Sequence, residues 1–228
     1  LRDFVPPALI KVARRMDLIP PPIIIYKKDK NGSQDLNMYY DEEFAKVLDT
    51  WGEDSAWVEI QMLLCNCKGK VLDIACGSGP TMKILESCKN IEVHGCDISD
   101  FLINKAIQRG IAPSRLLVTD ATKMSYDNNS FDYSYSIGSL EHFTEEGIEK
   151  FLAEAARVSK ICSMHQIPTS KSGKDEGWMS TSTTIQTFHN NSDQWWMRKF
   201  EKYFKEVLML NSKWNDEISY GRWFICKK

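Results

Sequence analysis

The stretch Lys70-Val71-Leu72-Asp73-Ile74-Ala75-Cys76-Gly77-Ser78-Gly79-Pro80 constrains this chain more than any other part of it. Val71, Leu72 and Ile74 make a short apolar run of the kind that a strand covered on both faces needs. Gly77 and Gly79 let the backbone turn sharply and let a ligand approach its amides, while Pro80 suits the first position of a helix. Strand, glycine turn and helix start in that order predict an α/β domain that holds a ligand at the helix N-terminus.

Spacing narrows the kind of ligand. A dinucleotide fingerprint places a third glycine three residues after Gly79, where this chain has Met82, and a dehydrogenase is disfavoured. A second apolar run, Ile91 to Ile98, carries Asp97, 24 residues after Asp73. That interval fits one strand, one helix and one strand, and a carboxylate at such a strand end can accept from both ribose hydroxyls. The order Asp73-x-Ala75-x-Gly77-x-Gly79 resembles the first motif of the class I S-adenosylmethionine-dependent methyltransferases, with Ala75 where many members carry glycine.

The resemblance covers roughly residues 39 to 228 and is strongest from 70 to 160. It implies a doubly wound Rossmann-like α/β sheet, mostly parallel with a C-terminal antiparallel strand pair, helices on both faces and an N-terminal helical extension. It also implies S-adenosylmethionine as cofactor, with S-adenosylhomocysteine as product. A third strand, Leu116 to Ala121, ends in Asp120-Ala121, which resembles the family's adenine-end motif, and Ile98 would give the ring an apolar face. A fourth strand, Phe131 to Gly138, would bring backbone groups around Ser136 and Ile137 to the methionine end of the cofactor. Helices between Tyr39 and Leu64 precede the sheet, and in the family such helices cover the cofactor, so that Tyr39 or Tyr40 would approach its methionine end. Cofactor binding is therefore expected at Asp73, Ala75, Gly77, Gly79, Asp97, Ile98, Asp120, Ala121, Ser136, Ile137 and Tyr40.

Ser139-Leu140-Glu141-His142-Phe143 resembles the Leu-Glu-His segment of many small-molecule methyltransferases, and places His142 before the acceptor. A histidine titrates near neutrality and suits removal of a hydroxyl proton, so His142 is the candidate catalytic base, with His165 and His189 behind it. Glu141 is read as orienting its helix or a neighbour, and His94 as a core or edge residue. The Asn/Asp-Pro-Pro-Tyr segment of amino-methylating enzymes and the Pro-Cys nucleophile of cytosine-C5 enzymes are absent, which disfavours nucleobase methylation. The strand ends that carry acidic ligands in metal-dependent catechol-type enzymes are Gly138-Ser139 and Gln166-Ile167 here, so no metal is expected.

A chain of 228 residues accommodates one large α/β domain, read as an extension and cofactor cover over residues 1–64 and a cofactor-binding domain over 65–228. A net charge of −2 offers no basic field for nucleic acid. Seven cysteines, an odd number, suit free thiols in a reducing, cytoplasmic setting, and no apolar run reaches the ~20 residues that span a bilayer. Leu1 to Met16 reads as a short basic amphipathic helix, open either to peripheral membrane or partner contact or to packing on the domain. Pro20-Pro21-Pro22 and Asn31-Gly32-Ser33 read as linker and turn, and Pro168 to Ser182 as a mobile loop. Phe188 to Phe204 reads as an aromatic helix.

The Arg2 to Arg15 opening also resembles methyltransferases encoded with bacterial surface-polysaccharide genes, which favours a hydroxyl of a sugar or sugar nucleotide as acceptor. A natural-product or lipid-like acceptor, and a non-catalytic S-adenosylmethionine-binding protein, are the alternatives.

Overall fold

A computed structural model describes residues 26–28, 40–181 and 186–228. The Leu1–Met16 helix, the proline linker, the Asn31 turn and Tyr39 fall outside them. Helices α1 (Glu42–Leu48) and α2 (Ala56–Leu64) lead into β2 (Gly69–Ile74), α3 (Pro80–Leu85), β3 (Ile91–Asp97), α4 (Asp100–Gln108) and β4 (Leu116–Val118). Then come β5 (Phe131–Ile137), a 3-10 turn at Leu140–His142, α5 (Glu145–Val158) and β6 (Ser159–Ser170). The chain closes with α6 (Asp193–Phe200), β9 (Glu206–Asn215) and β10 (Ser219–Lys227).

Seven strands form one sheet in the order β4-β3-β2-β5-β6-β10-β9. β4 through β6 pair in parallel, and β10 runs antiparallel to both β6 and β9. This is the mixed α/β, Rossmann-like architecture expected, with the C-terminal hairpin inserted so that the last strand lies inside the sheet.

Alternation along each strand sends neighbouring residues to opposite faces. Leu72, Ile74 and Phe224 join Phe151, Leu152, Trp196 and Phe200 in one apolar cluster, so α5 and α6 cover that face. Val71, Tyr135 and Trp223 join Ile60, Leu64, Met82 and Ile103 in another, which puts α2, α3 and α4 on the opposite face. Local sequence starts these helices: Asp41, Ser99, Thr144 and Ser192 each accept from a backbone amide in the first turn that follows.

Three expectations are corrected, the first being the aromatic helix of Phe188 to Phe204, which is confined to α6 because Phe188 and His189 form a strand. The segment from Pro168 is not simply a loop, because β6 runs on to Ser170, and β7 (Trp178–Thr181) pairs with β1 (Tyr26–Lys28) and β8 (Phe188–His189) in a small second sheet. β6 outlasts the point expected because β10 follows it to the Ser219↔Ser170 pair. The third strand ends at Val118, short of Asp120 and Ala121. Among the described residues no helix is long and apolar enough to cross a membrane, and no group of three or more His, Cys, Asp or Glu is placed to hold a metal.

Candidate functional site

The sheet order reverses at β2, which has β3 and β4 on one side and β5 and β6 on the other. A crevice belongs at the carboxyl ends of strands flanking such a switch point. The glycine turn after β2 lies there, with Ala75, Gly77 and Gly79 at φ 61, 54 and 73. Gly79 owes its identity to packing as well as to any ligand: a Cβ there would run into Cδ1 of Ile111 and lie 3.3 Å from Ala106 Cβ, behind the turn. A Cβ on Gly77 would lie 2.9 Å from Leu48 Cδ1, so α1 covers this part of the turn. Ion pairs Lys105–Glu42 and Arg109–Asp49 tie α1 to α4, and Arg109 Nε also donates to the Ser78 carbonyl at 2.9 Å.

Asp97, buried at the end of β3, is the polar centre of the turn. Its Oδ2 accepts from the Gly77 amide and its Oδ1 from the Ser99 amide, both at 2.9 Å. Each oxygen retains lone-pair capacity for a further donor, so the carboxylate fits a pair of ribose hydroxyls. Burial pushes its pKa up against the lowering effect of the Ser99, Gly77 and Ile98 amides. Asp73, on the neighbouring strand, accepts from the Tyr135 hydroxyl at 2.8 Å. Burial first, and the nearby Asp97 charge, drive its pKa to about 8 against that hydrogen bond.

Tyr40 stands within electrostatic reach of Asp97, and burial together with that carboxylate raises its phenol to about 12. Tyr40 also packs edge-on against Phe44 of α1, with ring centroids 5.8 Å apart. Ile98 is 38% exposed, an apolar side chain left open beside Asp97. Asp120 is exposed and accepts from the Thr122 amide and hydroxyl at 2.8 Å, while Ala121 is buried. The Ser136 side chain does not face the crevice: its Oγ lies 2.8 Å from His165 Nδ1. Only the backbone of Ser136 is available at the strand end, next to that of Ile137.

The three histidines separate clearly. His165 is fully buried, with Nδ1 on Ser136 and Nε2 on Ser163 at 2.8 Å, and burial holds it neutral with a pKa of about 3. Both nitrogens are engaged in the core, so it has none to offer a substrate. His189 is buried beside Trp178 and Trp195, with ring centroids at 4.3 and 5.2 Å, and burial lowers it to about 4. His142 is half-buried, and its Nδ1 donates to the Thr187 carbonyl at 2.8 Å. That bond leaves Nε2 as the lone-pair nitrogen, the tautomer a base needs. Burial lowers its pKa below the usual histidine value, against the Thr187 contact.

Some site features escaped the sequence reading. Glu141 is buried, with Oε2 lacking a hydrogen-bond partner among the described residues and Oε1 3.8 Å from His142 Nε2. Burial drives its pKa to about 8, so it is protonated near neutrality. Trp51 lies over Gly138, where a Cβ would fall 2.6 Å from its ring, and it contacts Trp214 at 5.9 Å between centroids. Gln166, opposite Ile137, is fully buried. The glycine in Gly138 and the density of tryptophans were the only signals of this aromatic cover.

A sequence profile described as "Methyltransferase domain" matches residues 71–161, the segment from β2 to the start of β6. The 24-methylenesterol C-methyltransferase 2 of Arabidopsis thaliana is 33% identical over 101 residues, 42% of this chain and 27% of that protein. The tRNA (carboxymethyluridine(34)-5-O)-methyltransferase of Saccharomyces cerevisiae is 39% identical over 74 residues, 32% of this chain and 25% of that protein. The chain thus spans about a quarter of the length of these curated relatives. In fold it is similar to Burkholderia thailandensis 1,6-didemethyltoxoflavin-N1-methyltransferase, solved with 1,6-didemethyltoxoflavin and S-adenosylhomocysteine. The TM-score is 0.65 at 12% identity, over 98% of this chain and 91% of that one.

Proposed function

We propose that this protein transfers the methyl group of S-adenosylmethionine to a hydroxyl of a small molecule, a sugar or sugar nucleotide. The observation that carries the reading is Asp97, a buried carboxylate at the switch point, fixed by the Gly77 and Ser99 amides and still able to accept from two hydroxyls. Ile98 and Ala121 then flank the adenine, Asp120 accepts from its amine, and the backbone at Ser136 and Ile137 meets the methionine end. The donor supplies a sulfonium methyl already activated for in-line displacement. The protein is left to align an acceptor and remove its proton. His142 Nε2 takes that proton, while Nδ1, bound to the Thr187 carbonyl, fixes the ring.

The name of the yeast relative favours a tRNA acceptor as a second reading. The net charge of −2 supplies no field for a phosphate backbone and weighs against it. A non-catalytic binding protein is separated from an enzyme by detecting S-adenosylhomocysteine formed with an acceptor panel. The cofactor site is tested by Asp97→Ala, expected to weaken S-adenosylmethionine binding by roughly 1.5–3 kcal/mol, about tenfold or more, in calorimetry. A folded variant that binds as tightly as the parent removes Asp97 from the site.

A further inference from the structure

Gln166 presents a polar group that the fold leaves without a partner. Its side chain is fully buried on β6, and neither Nε2 nor Oε1 has a hydrogen-bond partner among the described residues. A buried amide left so costs stability, and such a group in a native structure calls for a partner that the protein itself does not supply. Its position is level with the crevice: Gln166 is the register partner of Ile137, the last residue of β5, and its carbonyl accepts from the Gly138 amide at 3.0 Å.

The surroundings are aromatic and tight. Trp51 closes over Gly138 and contacts Trp214. On the other side, a Cβ on Gly221 would lie 2.9 Å from both the Trp214 carbonyl and Gln166 Nε2. Two glycines link these groups: the Gly138 amide bonds the Gln166 carbonyl beneath Trp51, and Gly221 comes close to Gln166 Nε2 and to the Trp214 backbone carbonyl. Two indoles inclined at 41° and one primary amide, with glycines where backbone comes close, make a site with an apolar side and a polar one.

We infer that Gln166 is the acceptor-recognition residue, and that its amide takes two vicinal hydroxyls of a sugar ring. Oε1 accepts from one hydroxyl, Nε2 donates to the other, and the Trp51–Trp214 pair covers the apolar face of the ring. Two vicinal hydroxyls offer the amide a separate donor and acceptor, and a purely apolar acceptor offers it neither. The inference rests on the proposal that the adjoining crevice holds the methyl donor, because β5 and β6 are neighbouring strands about 5 Å apart.

The test uses Gln166→Met, close in shape and without the amide, with S-adenosylhomocysteine bound. Saturation-transfer NMR would titrate methyl α-D-glucopyranoside, methyl α-D-mannopyranoside and methyl α-L-rhamnopyranoside, with uracil as a planar lactam probe. At least one pyranoside is expected to bind the parent and to bind the variant at least tenfold more weakly, with S-adenosylhomocysteine affinity unchanged. The variant should also melt higher by about 2–4 °C, since an unpaired buried amide has gone. Equal pyranoside binding by both proteins overturns the role of Gln166, as does a lower melting point without any binding difference. Binding of uracil alone, or of no probe, overturns the sugar class. Failure of the parent to bind S-adenosylhomocysteine refutes the donor proposal instead, and is read separately.

Discussion

At the scale of the residue, His142 and its neighbours show how burial, more than charge pairing, sets the chemistry. Its Nδ1 is committed to the Thr187 carbonyl, and burial lowers its pKa, so the ring is neutral at physiological pH with Nε2 free to accept. A base must be unprotonated, so activity should rise with pH through a midpoint below the usual histidine value. The stability sign runs the same way. A folded pKa below the unfolded one contributes stability that is present above the unfolded pKa and lost as pH falls through the folded pKa. His142→Ala should lower kcat by ~100-fold while leaving S-adenosylmethionine affinity unchanged, and should remove the acidic limb of the rate profile. Loss confined to acceptor KM would make His142 a positioning residue, and no change in either constant would exclude it. His94 is half-buried on β3 and lies 2.5 Å from Glu92 on its own strand. His165 shows why sequence alone could not rank the histidines: its partners Ser136 and Ser163 come together only when β5 and β6 pair.

At the scale of the element, the strand-turn-helix at 69–85 was legible because each of its parts is local. Val71, Leu72 and Ile74 are buried, the turn residues take left-handed dihedrals and Pro80 opens α3. Ala75, at φ 61, is the one residue there whose Cβ resists the conformation. Ala75→Gly should relieve about 1–2 kcal/mol of strain and give back part of it as unfolded-chain entropy. The expected net gain is about 0.5–1 kcal/mol, read as a higher urea midpoint at unchanged slope. A variant less stable than the parent would show that the Ala75 side chain is held by packing worth more than the strain. β6 was not legible at its end, because Pro168 reads as a strand terminator. The proline is tolerated because its backbone points, like that of Gln166, toward β5, which has already ended at Ile137, so no ladder bond is lost. β7 was illegible for another reason: of its two partners, β8 is only two residues long and Tyr26–Lys28 lies ~150 residues earlier in the chain. Pairing at that distance leaves no short-range pattern to read.

At the scale of the whole molecule, the sheet separates stability from binding. One face is closed by α5 and α6 around Phe151, Trp196, Phe200 and Phe224, and the proposed cofactor site lies at the carboxyl edge of β2 and β3, several strands away from β10. Phe224 is fully buried and stacks on Phe200 with centroids 4.6 Å apart and planes 17° apart. Phe224→Ala removes that contact and leaves a cavity, which should cost about 3–5 kcal/mol and lower the melting temperature by roughly 6–20 °C. Because Asp97, the glycine turn and Ile98 are built from the other side of the sheet order, the variant should bind S-adenosylhomocysteine with the parent's affinity at a temperature where both are folded. The ligand should then stabilise both proteins by the same amount, ~2.7 kcal/mol at a hundredfold excess over Kd. A smaller increment in the variant, measured with folding confirmed by circular dichroism, would mean that the cavity is transmitted through β6 and β5 to the switch point, and that the core beneath α6 sets the geometry of the binding edge.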